Sequence, residues 1–127
     1  MRVCSRAGWN EGQNESFAYT EVNQSFQVCG DWRPHVRRRP WDKLGLTFMS
    51  NAISKAHQEY LALGGLGFLL GDGRLTYGPE NILEGYYNAH LWRGIYLSPN
   101  LQYIVNPGYN RDRGPVLVGG LRLHLDL

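Results

Sequence analysis

The sequence predicts an all-β chain, an antiparallel up-and-down meander of about six strands forming part of a transmembrane β-barrel that stays open. Three observations carry this. Between Pro115 and Leu127, Leu117, Leu121, Leu123, Leu125 and Leu127 fall on one side of a period-two pattern, and Arg122, His124 and Asp126 fall on the other. Successive strand side chains face opposite sides of a sheet, so this segment has one apolar and one charged face. The pattern recurs upstream. In 82–91, Leu83, Gly85, Tyr87, Ala89 and Leu91 alternate with Glu84, Tyr86, Asn88 and His90. In 95–106, Ile95, Leu97, Leu101, Tyr103 and Val105 alternate with Tyr96, Ser98, Asn100, Gln102 and Asn106. The connectors also differ in length. Only Trp92-Arg93-Gly94 joins the first pair, whereas the polar segment 107–114 precedes the last strand. Short turns at one end and long loops at the other mark outer-membrane barrels.

The remaining elements follow from the N-terminus. Residues 2–9 form a first strand, ended by the polar turn 10–15. A second strand over 16–29 does not hold one register through Phe17, Tyr19, Val22, Phe26 and Val28, and a bulge near 21–24 would repair it. A third strand spans 43–51, with Leu44, Leu46 and Phe48 on one face. One short helix near 54–63 interrupts the next long loop. Ser54 caps it, Ala56, Tyr60 and Leu63 share a face, and Gly64-Gly65 stops it. The glycine-rich run 66–73 follows the helix and lacks a P-loop lysine, and Asp72 lacks the companion carboxylates of a calcium loop. It reads as a structural turn.

Composition fits this architecture. The 127 residues suffice for one domain, and only 19% are charged. Mean hydropathy is −0.41. No run of eighteen apolar residues exists, which excludes helical membrane spans. Barrel strands escape such a search because every second residue is polar. Tyr86, Tyr87, Trp92, Tyr96, Tyr103 and Tyr109 lie near strand ends and suit interfacial girdles. The net charge of +2 is mild. Arg33, Arg37, Arg38 and Arg39 stand beside Pro34 and Pro40 as a solvated turn, so no nucleic-acid partner is expected. Cys4 and Cys29 lack metal-ligand spacing, and no cofactor or metal is expected. A disulfide would need their strands to be neighbours in register, so two separate thiols are the simpler expectation. The stretch Met1-Arg2-Val3-Cys4-Ser5-Arg6 has no apolar leader, so for an exported protein the expectation is either an internal point of a longer chain or a misplaced start codon.

Ala7-Gly8-Trp9-Asn10 with Glu15-Ser16-Phe17-Ala18-Tyr19-Thr20-Glu21 resembles the carbohydrate-selective outer-membrane porins of the OprB type. So do 51–60 with Gly64-Gly65-Leu66-Gly67-Phe68, and 71–80 with Glu84-Gly85-Tyr86-Tyr87. The match closes through Gln102-Tyr103-Ile104-Val105-Asn106-Pro107, Asn110-Arg111-Asp112-Arg113-Gly114-Pro115 and the last strand. The resemblance covers nearly the whole chain in order. It implies a bacterial outer-membrane barrel of about sixteen strands, passing sugars such as glucose by passive diffusion. Residues 1–127 would then be its C-terminal segment, truncated and not functional alone. The chain departs from the family in 29–41, and it ends in Leu127 where the family usually has Phe.

A passive channel needs no nucleophile, acid or base. Its lumen wall offers hydrogen-bond partners to hydroxyls and aromatic rings to sugar C–H faces. The expected lumen residues are Glu84, Tyr86, Asn88, His90, Gln102, Arg122, His124 and Asp126, with charge pairs such as Glu84 and Arg122 stiffening the wall. The partners are transported sugars, outer-membrane lipid and further barrel strands or copies that close the sheet. A soluble carbohydrate-binding β-domain, with the leucine face as its core, is the alternative. A glycosidase built on Glu80, Glu84 or Asp112 is not expected, because nothing fixes two of them across one bond.

Overall fold

The computed structural model describes residues 1–12, 21–34, 39–67, 70–71 and 73–126. Six strands form one sheet: β1 (Arg2–Trp9), β2 (Gln24–Trp32), β3 (Lys43–Ala52), β4 (Glu80–Trp92), β5 (Ile95–Val105) and β6 (Val116–Leu125). They lie in chain order, each antiparallel to the next, and β1 and β6 remain the two edges of an open sheet. The first and third strands lie where the alternation places them. The second differs. It begins at Gln24 and runs on through Gly30, Asp31 and Trp32, and its ladder with β1 is continuous from Arg2↔Asp31 to Trp9↔Gln24. No bulge interrupts 21–24. Asn10 N–H instead donates to Asn23 O at 2.8 Å, carrying the ladder one step past the strand. Residues 16–20 of the expected strand, and 68, 69 and 72 of the glycine-rich turn, lie outside the described residues.

The registers fix two faces across all six strands. Leu117, Leu121, Leu123 and Leu125 oppose Tyr103, Pro99, Leu97 and Ile95. Leu44, Leu46 and Phe48 oppose Tyr87, Gly85 and Leu83 on the same side. This face is open: Leu121 is 71% exposed and Leu123 61%. Exposing leucine to water forgoes about 1.5–3 kcal/mol per side chain, so an apolar medium must cover it. Among the described residues no second sheet or helix does.

The end of β4 carries a register shift. Ala89 pairs with Leu97 and His90 with Tyr96, but Trp92 pairs with Ile95. The extra residue rotates Trp92 onto the apolar face, and the connection shortens to Arg93-Gly94, with Gly94 at φ +67°.

The small buried core lies at the opposite end, where the long connections meet. Ile53, Leu61 and Tyr109 are 2–3% exposed, and Val22, Leu70, Leu75 and Tyr77 pack against them. The helix α1 (Lys55–Ala62) contributes Leu61. Ser54 caps it: its Oγ accepts from His57 N at 3.2 Å and donates to Gly12 O at 2.9 Å. Ser54 N–H donates to Asn23 Oδ1 at 2.9 Å, tying the helix to the start of β2. Gly64 at φ +90° ends it. The face shared by Ala56, Tyr60 and Leu63 is not the one that docks. Ala56, Tyr60 and Leu63 are exposed, because a helix this short docks through Leu61 alone.

Cys4 and Cys29 form a disulfide. They are direct partners in the β1–β2 ladder, with Cα atoms 5.1 Å apart, within disulfide reach. The expectation of separate thiols is corrected by register, a property that neither cysteine's local sequence carries.

Candidate functional site

The face opposite the leucines is polar, and every strand contributes to it. Lys43, Gly45, Thr47 and Met49 of β3 oppose Asn88, Tyr86, Glu84 and Ile82 of β4. Glu84, Tyr86 and His90 in turn oppose Gln102, Asn100 and Tyr96 of β5. Arg122 and His124 of β6 oppose Ser98 and Tyr96. On β1 and β2, Arg2, Cys4 and Arg6 oppose Asp31, Cys29 and Gln27. Seven of the eight expected lumen residues therefore share one surface on β4, β5 and β6. Asp126 stands one residue past β6, exposed, with its backbone N–H donating to Gly94 O at 2.7 Å. It lies at the end of the sheet rather than within the strand.

Two contacts order this surface. Glu84 Oε1 accepts from Asn100 Nδ2 at 2.9 Å, a diagonal bond between β4 and β5. His90, Tyr96 and His124 form a row of rings across three strands, with centroids 5.0 Å and 6.0 Å apart. The hydroxyl end of the Tyr86 ring covers Gly45 of the neighbouring strand, where a β-carbon would collide with it. Glycine is required there for an aromatic–glycine joint between strands. The expected pair of Glu84 with Arg122 does not form. The row through Glu84 and Gln102 reaches Val118, four residues from Arg122, and β5 stands between them.

Tyr96 and Asn100 share this polar face but are absent from the expected set, though both fall on the polar side of their own alternation. Lys43 and Thr47 carry the same signal, being the off-phase of Leu44, Leu46 and Phe48.

At the long-loop end the connections fold over the polar face. Glu80 Oε2 accepts from Gly108 N–H at 2.9 Å, and Oε1 accepts from Asn51 Nδ2 at 3.4 Å. Tyr77 bridges to Asn110, and Gly78 N–H donates to Tyr109 O at 2.9 Å. Burial, with the Glu80 charge adding to it, pushes the Tyr109 hydroxyl well above the usual phenol range, so it stays neutral. Asp112 accepts from Thr76 Oγ1 at 2.7 Å and pairs with Arg74 at 3.5 Å. Glu80 and Asp112 are thus committed to loop structure and Glu84 to its bond with Asn100 on the polar face. They do not flank a common space as a hydrolytic pair would. No cluster of three or more metal-ligating side chains occurs among the described residues.

At the other end Asp42 is 1% exposed. Its Oδ1 accepts from His90 N–H at 2.9 Å, and its Oδ2 accepts from the Tyr87 hydroxyl and from Arg39 Nη1 at 3.1 Å. Burial raises the carboxyl, but the Tyr87 and His90 bonds and the Arg39 charge outweigh it, so the net direction is downward.

The surface offers amide, guanidinium, imidazole and phenol groups at the spacing of adjacent strands, with a row of mutually tilted rings among them. It can exchange hydrogen bonds with a polyhydroxylated solute and receive its C–H faces. A family model for the carbohydrate-selective porins, OprB family, matches residues 3–127. No curated protein and no solved structure gives a significant match.

Proposed function

From the premise that this chain belongs to the carbohydrate-selective porin family, OprB, we propose that its polar face is lumen wall in a passive sugar channel of the bacterial outer membrane. Glucose and similar monosaccharides are the proposed solutes. The observation that carries the reading is the division of one unbroken sheet into an exposed leucine face and a hydrogen-bonding, ring-bearing face. Lipid satisfies the first and a watery lumen the second. A soluble sugar-binding domain would bury the leucine face under a second layer, and the described residues provide none.

In this reading Arg122, Glu84, Gln102 and Asn88 exchange hydrogen bonds with passing hydroxyls, and Tyr86 with the His90–Tyr96–His124 row offers stacking surfaces. Weak, repeated contacts suit conduction, since a solute must leave as readily as it enters. The described residues supply six strands, whereas the smallest closed barrels need about eight, so in this reading further strands or copies complete the wall. Arg122→Ala or Glu84→Ala, placed in a complete barrel, is expected to change relative swelling rates of liposomes in different sugars without loss of assembly. Unchanged relative rates for every sugar and ion would remove these residues from the wall.

A further inference from the structure

The apolar face is not uniformly filled. One cross-strand row runs Gly30, Leu46, Gly85, Leu101, with a side chain missing at alternate positions. The adjacent row, Trp32, Leu44, Tyr87, stands higher and rims it. Between them lies an apolar groove of about 600 Å³. A β-carbon on Gly85 would lie 4.0 Å from Leu46 Cδ1, and one on Gly30 would lie 3.8 Å from Arg2 O, so each glycine leaves room for a side-chain atom at ordinary contact distance.

The groove runs toward the end of the sheet that carries the 33–42 connection and the Arg93-Gly94 turn. That end is basic and rich in tryptophan. Trp32, Trp41 and Trp92 are all more than half exposed there. Arg33 follows Trp32 and is exposed. Arg39, its side chain 44% exposed, is anchored at the groove mouth through Asp42 to the Tyr87 hydroxyl. A slot whose exposed lining is almost entirely apolar fits a hydrocarbon chain and not a sugar. Guanidinium groups match a phosphate oxygen pair, and tryptophan rings sit at headgroup depth.

We propose that this end of the sheet binds one anionic phospholipid, an acyl chain lying in the groove and the phosphodiester against Arg33 and Arg39. The site is on the face opposite the sugar path and does not depend on that path being functional. The test uses the whole chain in neutral detergent micelles doped with phosphatidylglycerol or phosphatidylcholine carrying brominated chains, read by tryptophan fluorescence. Saturable quenching by the phosphatidylglycerol, at several-fold lower lipid fraction than the phosphatidylcholine, is the expected result. Arg33→Gln, at an exposed position, should weaken the phosphatidylglycerol response about fivefold, the worth of one cation near an anionic lipid surface, and leave phosphatidylcholine unchanged. Gly85→Leu fills the groove and should abolish saturation while the strand circular dichroism persists. Equal quenching by the two lipids, or insensitivity to Arg33→Gln, overturns the proposal. Persistence of saturation in Gly85→Leu does the same.

Discussion

Asp42 lies one residue before β3, whose ladder with β4 ends at the Lys43–Asn88 pair, and its carboxylate accepts the His90 N–H just beyond that pair. It also fixes Tyr87 and Arg39 at the basic end. Asp42→Ala leaves the Tyr87 hydroxyl and the His90 amide without their partner, at about 1–3 kcal/mol for each group that stays buried. Urea titration of the folded chain in detergent measures the loss. The pH dependence follows from the lowered carboxyl. The unfolded chain takes up the proton first, so the stabilisation is complete above the ordinary carboxylate range and fades as pH falls through Asp42's own lower value. The Asp42→Ala variant should lack that acid limb. Neither Asp42 nor the cysteines were legible as partners in sequence, since Asp42 meets His90 across 48 positions and Cys4 meets Cys29 across 25.

At the scale of the element, period two was the reliable signal and breaks in it were not. The strand β6 shows the strength. Leu123 opposes Leu97 on the open face and Arg122 opposes Ser98 on the other, as alternation alone requires. Leu123→Arg should weaken bilayer insertion by about 2–4 kcal/mol if its position is near mid-depth, while Asp126→Asn should leave it nearly unchanged. Folding titrations into lipid vesicles separate the two, and equal tolerance would contradict the register. The strand β2 shows the weakness. Its pattern blurs through Gly30-Asp31, yet pairing with β1 and β3 carries it to Trp32. Ladder hydrogen bonds held by neighbours override a local pattern, and only a sheet reveals them. The helix behaves alike: Ser54 and Gly64 marked its ends correctly, but the docking residue is Leu61, selected by Ile53 and Tyr109.

The whole molecule is an open sheet whose two edges, β1 and β6, present unpaired backbone groups. In hydrocarbon each such group costs several kcal/mol, so the edges must be paired before the sheet can cross a bilayer. The Cys4–Cys29 disulfide stiffens one edge but does not close it. The 127-residue chain alone should therefore self-associate through its edges and give no discrete, sugar-blockable conductance in planar bilayers. Stable single-channel steps from the chain alone would show that copies close the barrel unaided.

The sequence by itself determined the fold class, the number of strands, which residues of β3, β4, β5 and β6 share a face, and where the helix starts and stops. These are properties of neighbours within a few positions, set by the strand pleat and by capping. The tertiary structure alone decided the Cys4–Cys29 bond, the Asp42 contacts, the joint of Tyr86 on Gly45, the separation of Glu84 from Arg122, and the groove between Gly30 and Gly85. Each of these depends on which residues lie opposite one another across strands, and a strand's own alternation fixes its faces but not its register against the next.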